Sequence, residues 1–150
     1  MALVMLSRHR LHNPLSLRYA WRMAKKQTPH QRAEAELTAY GLSFPETSVG
    51  PGWGATRFLN VQKKSFAVFG EKAEPRDALT IIMKLPVSAP MAEELPFVRP
   101  ARGWFKQHAW VTAHFGPDDD IFAEMQTLKG WLRQSYVAVA PKKLSRLLGA

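Results

Sequence analysis

The sequence contains no cysteine. That excludes a disulfide scaffold, a thiolate zinc site, an iron–sulfur cluster and a cysteine nucleophile. Long apolar runs are missing too: charges or prolines interrupt every stretch before the ~18–20 residues that a membrane-crossing helix needs. The first 33 positions lack any acid, although they hold Arg8, Arg10, Arg18, Arg22, Lys25, Lys26 and Arg32. Internal repeats and low-complexity segments are also absent. What is there is ordinary for a globular chain, 46% hydrophobic and 22% charged residues in a length of 150. This suffices for one domain with a buried core and is inconsistent with a wholly disordered protein.

The formal net charge of +9 is unevenly placed, with +7 in residues 1–33 and +2 in the rest. So nearly neutral a body makes only a weak general field. Strong non-specific affinity for phosphate would therefore reside in the tail and fall steeply with salt. Three readings of the tail stay open. It is a basic arm that contacts anions; or a targeting segment, Arg-containing and acid-free but without the apolar core of a secretory signal; or a stretch ahead of a true start at Met23. The expected organisation is a basic, disordered tail over 1–27 and a domain over 28–150.

Thr28-Pro29-His30-Gln31 fits a capping box with proline in the first turn, so a helix is expected over about 29–40, stopped by Gly41 in a left-handed conformation. Pro45, Gly50, Pro51, Gly52 and Gly54 predict a loop over 42–55. Thr56–Val61 and Ser65–Phe69 flank a short polar turn and read as a β-hairpin. Leu79–Lys84 reads as a central strand, Pro86–Glu94 as a short helix, and the segment around Phe97 and Val98 as extended. In His108–Phe115, Ala109, Val111, Ala113 and Phe115 alternate with His108, Trp110, Thr112 and His114, which predicts a strand with one core face. Asp118–Asp120 suit a helix start. Ile121, Met125, Leu128 and Leu132 form its buried stripe. A break is expected at Ser135-Tyr136, then partial helix over Val137–Leu148. The order predicts an α+β domain, an antiparallel sheet with helices on one face.

Gly103-Trp104, His108-Ala109-Trp110-Val111, Trp131-Leu132-Arg133-Gln134-Ser135-Tyr136 and Val139-Ala140-Pro141-Lys142-Lys143-Leu144 form a pattern that resembles the MmcQ/YjbR family of small bacterial proteins. Phe44-Pro45-Glu46, Trp53-Gly54, Phe58 and Phe66-Ala67 fit the same family's opening, so the resemblance spans about residues 30–148. It implies a compact CyaY-like α+β fold, a bacterial cytoplasmic setting and DNA binding through a double-wing arrangement of hairpins. It implies no reaction, so no catalytic residue is carried over. Trp110, Ser135, Tyr136 and Lys142 are the family-like positions.

The chemistry of the residues points the same way. His108 and His114 share a strand face but stand roughly 20 Å apart along it, too far to hold one metal ion. Ser135 lies in no nucleophile motif, and Gly50, Gly52 and Gly54 form no phosphate loop. An enzyme is therefore the least supported class, and no cofactor or metal is expected. For nucleic acid, Arg57 with Lys63 and Lys64 at the hairpin tip forms one basic cluster. Arg99, Arg102 and Lys106 form a second, interleaved with Trp104 and Phe105, where phosphate contact and stacking combine. Taken singly, turn lysines are ordinarily solvated residues and tryptophans ordinarily close a core. The alternative is a small-anion or protein-interaction module. Its pocket would be lined by Trp53, Trp104, Trp110, Ser135 and Tyr136, with Lys142 or Arg102 selecting an anion. Oligomeric state is not legible.

Overall fold

In the computed structural model, the described residues are 27–52, 54–101 and 104–149. The expectations for the tail, including Met23, lie outside them, as do Trp53 and Arg102. The elements run α1 (Pro29–Leu42), β1 (Thr47–Pro51), β2 (Arg57–Val61), β3 (Lys64–Phe69), β4 (Leu79–Lys84), α2 (Ala89–Ala92), β5 (Val98–Pro100), α3 (Trp104–Gln107) and β6 (Trp110–Phe115). A 3-10 turn (Ile121–Glu124) then leads into α4 (Met125–Val139), followed by α5 (Lys142–Ser145) and a last 3-10 turn (Arg146–Leu148). The strands form one six-stranded sheet in the order β1-β2-β3-β4-β6-β5, with every pair antiparallel. This is the α+β architecture expected from the sequence. Among the described residues no helix is long and apolar enough to cross a membrane.

Strand alternation decides the two faces of the sheet. Leu59, Ala67, Phe69, Leu79, Ile81, Met83, Val111, Ala113 and Phe115 meet Leu37 of α1 and Leu128, Leu132 and Tyr136 of α4 in the main core. We call this the inner face. Phe44, Phe66 and Tyr136 form an aromatic knot there, with ring centroids 4.9 Å apart for Phe44–Tyr136 and 5.4 Å for Phe66–Tyr136. A register shift makes Phe66 an extra residue in β3, since Leu59 pairs with Ala67 and Asn60 with Ser65. A bulge of this kind lets two consecutive residues turn toward the same side, and both Phe66 and Ala67 are buried in the main core.

The helix signals at the start of α1 are realised: Thr28 Oγ1 accepts from the Gln31 backbone N–H at 3.1 Å, and Gln31 Oε1 accepts from the Thr28 N–H at 2.9 Å. Its end differs from expectation. α1 continues to Leu42, and Gly41 is a buried helical residue. A Cβ there would stand 2.8 Å from Leu59 Cδ1, so this glycine serves close helix–sheet approach. The loop expected over 42–55 contains β1. Its Gly50 faces Asn60, whose Nδ2 would lie 2.8 Å from an added Cβ, and its Pro51 ends an edge strand, where a missing N–H costs no ladder bond. β6 begins at Trp110, because Ala109 takes a left-handed φ of 62° and His108 sits in a turn. The break expected at Ser135-Tyr136 does not occur. α4 runs through to Val139, because both side chains are buried against the sheet.

Candidate functional site: a cationic cavity on the outer face

The opposite, outer face of the sheet is built by the alternate residues of the same strands. Thr80, Ile82 and Lys84 of β4 pair with His114, Thr112 and Trp110 of β6, and Arg99 of β5 pairs with Thr112. A small second cluster, Val68, Ile82, Ala101 and Trp110 with Phe58 at its margin, forms an apolar strip across the middle. Among the described residues no long helix lies across this face, which α4 reaches only with its last residue, Val139. The four residues of α3 cover it at one end, where Phe105 meets Trp110 edge-on with ring centroids 5.8 Å apart. At the other end the β3–β4 connection folds over: the Thr80 hydroxyl donates to the Glu71 carbonyl at 2.7 Å, and His114 Nε2 donates to the Glu74 carbonyl at 2.7 Å. Because a carbonyl only accepts, His114 carries its proton on Nε2.

Between these two covers lies an open cavity of about 860 Å³. Its floor is Thr80, Ile82 and Thr112, its side is Pro100, Ala101 and Phe105, and its rim holds Lys72, Arg99, Lys106 and His114, with Glu71 the one acid. Among the described residues the ion pairs are Arg57–Glu34 and Lys129–Glu36, so Lys72, Arg99 and Lys106 make no close ion pair there, although Arg99 also lines a neighbouring hollow with Asp119, Asp120 and Glu124. Lys72, Arg99 and Lys106 are exposed. Beside the rim, Trp104 is 59% exposed, and its ring lies tilted against His108 with centroids 4.3 Å apart. The site is therefore a concave, apolar-floored surface with a cationic edge. Such an arrangement attracts an anion and shelters an apolar body next to it. Among the described residues no group of three His, Cys, Asp or Glu gathers to hold a metal ion.

The residues singled out by sequence are distributed unevenly around this site. Arg99 and Lys106 belong to it. Lys63 and Lys64 are exposed at the β2–β3 turn, where Gln62 takes a φ of 53°. Arg57 does not join them. Its guanidinium grips the Glu34 carboxylate of α1 through Nε, at 2.8 Å, and through Nη2. That hydrogen-bonded carboxylate raises the Arg57 pKa, against an opposing effect of burial. A guanidinium so engaged is a tie between β2 and α1, not a free phosphate ligand.

The described members of the expected aromatic pocket do not share a cavity. Trp104 is at the surface, Trp110 lies beneath Phe105 on the outer face, and Lys142 is exposed on α5. Ser135 and Tyr136 are fully buried on the inner side. Ser135 Oγ accepts from the Lys84 N–H at 2.8 Å and donates to the Phe66 carbonyl at 2.5 Å. Tyr136 donates to the Pro45 carbonyl at 2.8 Å, and burial, with the nearby Glu46, raises its pKa. Both hydroxyls are thus spent on the scaffold.

Sequence reasoning missed Lys72, Thr80, Ile82, Thr112 and His114. For Thr112 and His114 the signal was present, because the β6 alternation sets them opposite the core residues. In β4 the signal was masked: Leu-Thr-Ile-Ile-Met-Lys is apolar enough on both faces to read as doubly buried. Lys72 lies in a connection with no periodicity to interpret.

No family model matches this sequence, and no curated protein is similar to it. The fold has a solved counterpart in the crystal structure of Deinococcus radiodurans protein DR2400, a domain of the DUF419 type. The two share 21% sequence identity and a TM-score of 0.56 over 82% of this chain and 88% of that one. At that identity the likeness is one of fold, and the chain shares the architecture of that bacterial DUF419 protein.

Proposed function

We propose that this chain is a non-enzymatic binding domain that takes nucleic acid, DNA in the first instance, on the outer face of its sheet. The observation that supports this reading is the set of three exposed, unpaired cations, Lys72, Arg99 and Lys106, around one cavity. Each can meet a phosphate oxygen, and each contact releases condensed counterions. Lys63 and Lys64 extend the cationic surface from the hairpin tip, while Arg57 is withdrawn from it by Glu34.

The test is fluorescence anisotropy of the full chain with a labelled generic duplex across a salt series. Converting Lys72, Arg99 and Lys106 together to Gln is expected to weaken binding at least ~10-fold near 0.1 M salt. The slope of log affinity against log salt should flatten by about 2 to 3, at ~0.9 per lost phosphate contact. Unchanged affinity and slope would place binding in the basic tail and overturn the reading.

The concavity of the site favours a second reading, a small anionic molecule held by the same rim. In that case a mononucleotide or another small phosphate ester would saturate the domain without any dependence on chain length.

A further inference from the structure

The rim accounts for phosphate attraction but leaves the floor of the cavity unused. A volume of about 860 Å³ lies within the ~300–1,000 Å³ usual for pockets that enclose small organic groups. A B-form duplex is convex. It can lay phosphates along Lys72, Arg99 and Lys106, but its bases stay stacked inside and none reaches the floor. An unstacked base meets different conditions there. Ile82 offers an apolar surface. Phe105, 37% exposed and held edge-on against Trp110, offers an aromatic wall. Among the described residues the Thr112 hydroxyl has no hydrogen-bond partner, and it lines the cavity where it can donate or accept at a base edge. His114 has committed Nε2 to the Glu74 carbonyl, which leaves Nδ1 to meet a polar group on a base edge.

We infer that this cavity receives an unpaired nucleobase, so that the domain prefers single-stranded nucleic acid to duplex. The inference rests on the nucleic-acid reading above. It divides the labour within one site: the rim cations hold the backbone whatever its sequence, and the floor distinguishes a splayed strand from a paired one. Aromatic and apolar contact with bases is tolerant of sequence, because every base has a π-face. The preference is therefore for strandedness more than for a particular base.

The experiment uses the full chain with a labelled single strand of about 12 nucleotides, comparable to known single-strand site sizes, and with the same strand in duplex form. A mononucleotide serves as competitor. The single strand is expected to bind about ten-fold or more tightly than the duplex. The near-isosteric Thr112→Val is expected to weaken single-strand binding by about 5- to 10-fold, leaving duplex affinity and its salt slope within about two-fold. Phe105→Ala, which also loosens the turn that carries Lys106, is expected to weaken single-strand binding by at least as much and duplex binding less. Thr112→Val guards against a loss that merely reflects displacement of α3. Equal affinity for the two forms, or variants that weaken both alike, would overturn the inference while leaving the phosphate reading in place. A mononucleotide that competes as well as the 12-mer would overturn it in favour of the small-ligand reading. Failure of both nucleic acids to bind would remove the underlying reading as well.

Discussion

Ser135→Ala is the sharpest test of how the sheet is held. The last partner pair of β3 and β4 is Ala67 with Met83. Beyond it the strands diverge at the Phe66 bulge, and the Ser135 hydroxyl enters the gap. It accepts from Lys84 N–H and donates to Phe66 C=O, so it relays the ladder bond that the two strands no longer make directly. Ser135 is fully buried. Alanine would strand one buried donor and one buried acceptor, each costing about 1–3 kcal/mol. Against this stands a gain of about 0.5 kcal/mol from the better helix former within α4. The expected net loss is about 1.5–5.5 kcal/mol. It should be measured by urea denaturation followed by tryptophan fluorescence, as a shift in midpoint at unchanged slope. Ser145→Ala is the control, because the Ser145 hydroxyl donates only to the nearby Lys142 carbonyl, and it should cost under about 1 kcal/mol. A Ser135→Ala loss no larger than the control's would refute the relay.

Two further predictions follow from the same scaffold. Gly41→Ala should destabilise by about 1–3 kcal/mol in the same denaturation assay, despite alanine's helix preference of about 1 kcal/mol. The new Cβ would press on Leu59, itself in the core, and a stabilised variant would show that α1 and β2 are not in close contact there. Tyr136 has a raised pKa, so the folded state holds the phenol proton more tightly than the unfolded chain does. Its contribution is then fully present below the ordinary value of about 10 and is lost as pH rises through the folded value, by at most about 1.4 kcal/mol per pH unit. Tyr136→Phe should remove that alkaline slope and cost about 1 kcal/mol at neutral pH by freeing the Pro45 carbonyl; an alkaline slope unchanged in the variant would assign it to other groups.

The fold was legible wherever one physical signal stood alone. The capping box at Thr28, the alternation in β6 and the apolar stripe of α4 each located an element. Errors arose where one residue type served two purposes. Glycine reads as a breaker, but Gly41 sits inside a helix where a Cβ would press on Leu59 and meet Leu132 and Phe66, and Gly50 sits inside a strand beside the Asn60 amide. Ser135 and Tyr136 read as a helix end or as site residues, since polar atoms suggest a surface, yet their hydroxyls complete the backbone of other elements. Ala109 gave no sign of its left-handed φ, a conformation that a sequence normally marks with glycine. The candidate site was half legible. Arg99 and Lys106 were visible as local cations, whereas their partners come from β4, β6 and the β3–β4 connection. Only the strand order, with β6 inserted between β4 and β5, brings them to one cavity.

The outer face also explains why that cavity exists at all. An antiparallel sheet covered on one side can leave its other face polar and wet. Here the outer face instead carries a buried strip of Val68, Ile82 and Trp110, the last with an indole N–H that finds no partner among the described residues. An apolar strip needs cover, and among the described residues it comes from Val139 at the end of α4, from the four residues of α3 tied down by Phe105 on Trp110, and from a connection pinned to Thr80 and His114. A helix of one turn has no stability of its own and keeps its place only through such contacts. Cover that reaches the strip from both ends but does not close over the middle leaves a walled hollow with an apolar floor. The β3–β4 connection and the β5–α3 segment that form the walls also bring in Lys72, Arg99 and Lys106. The incomplete second layer is thus the feature that turns a sheet face into a binding surface, and loosening Phe105 from Trp110 is the change that would flatten it.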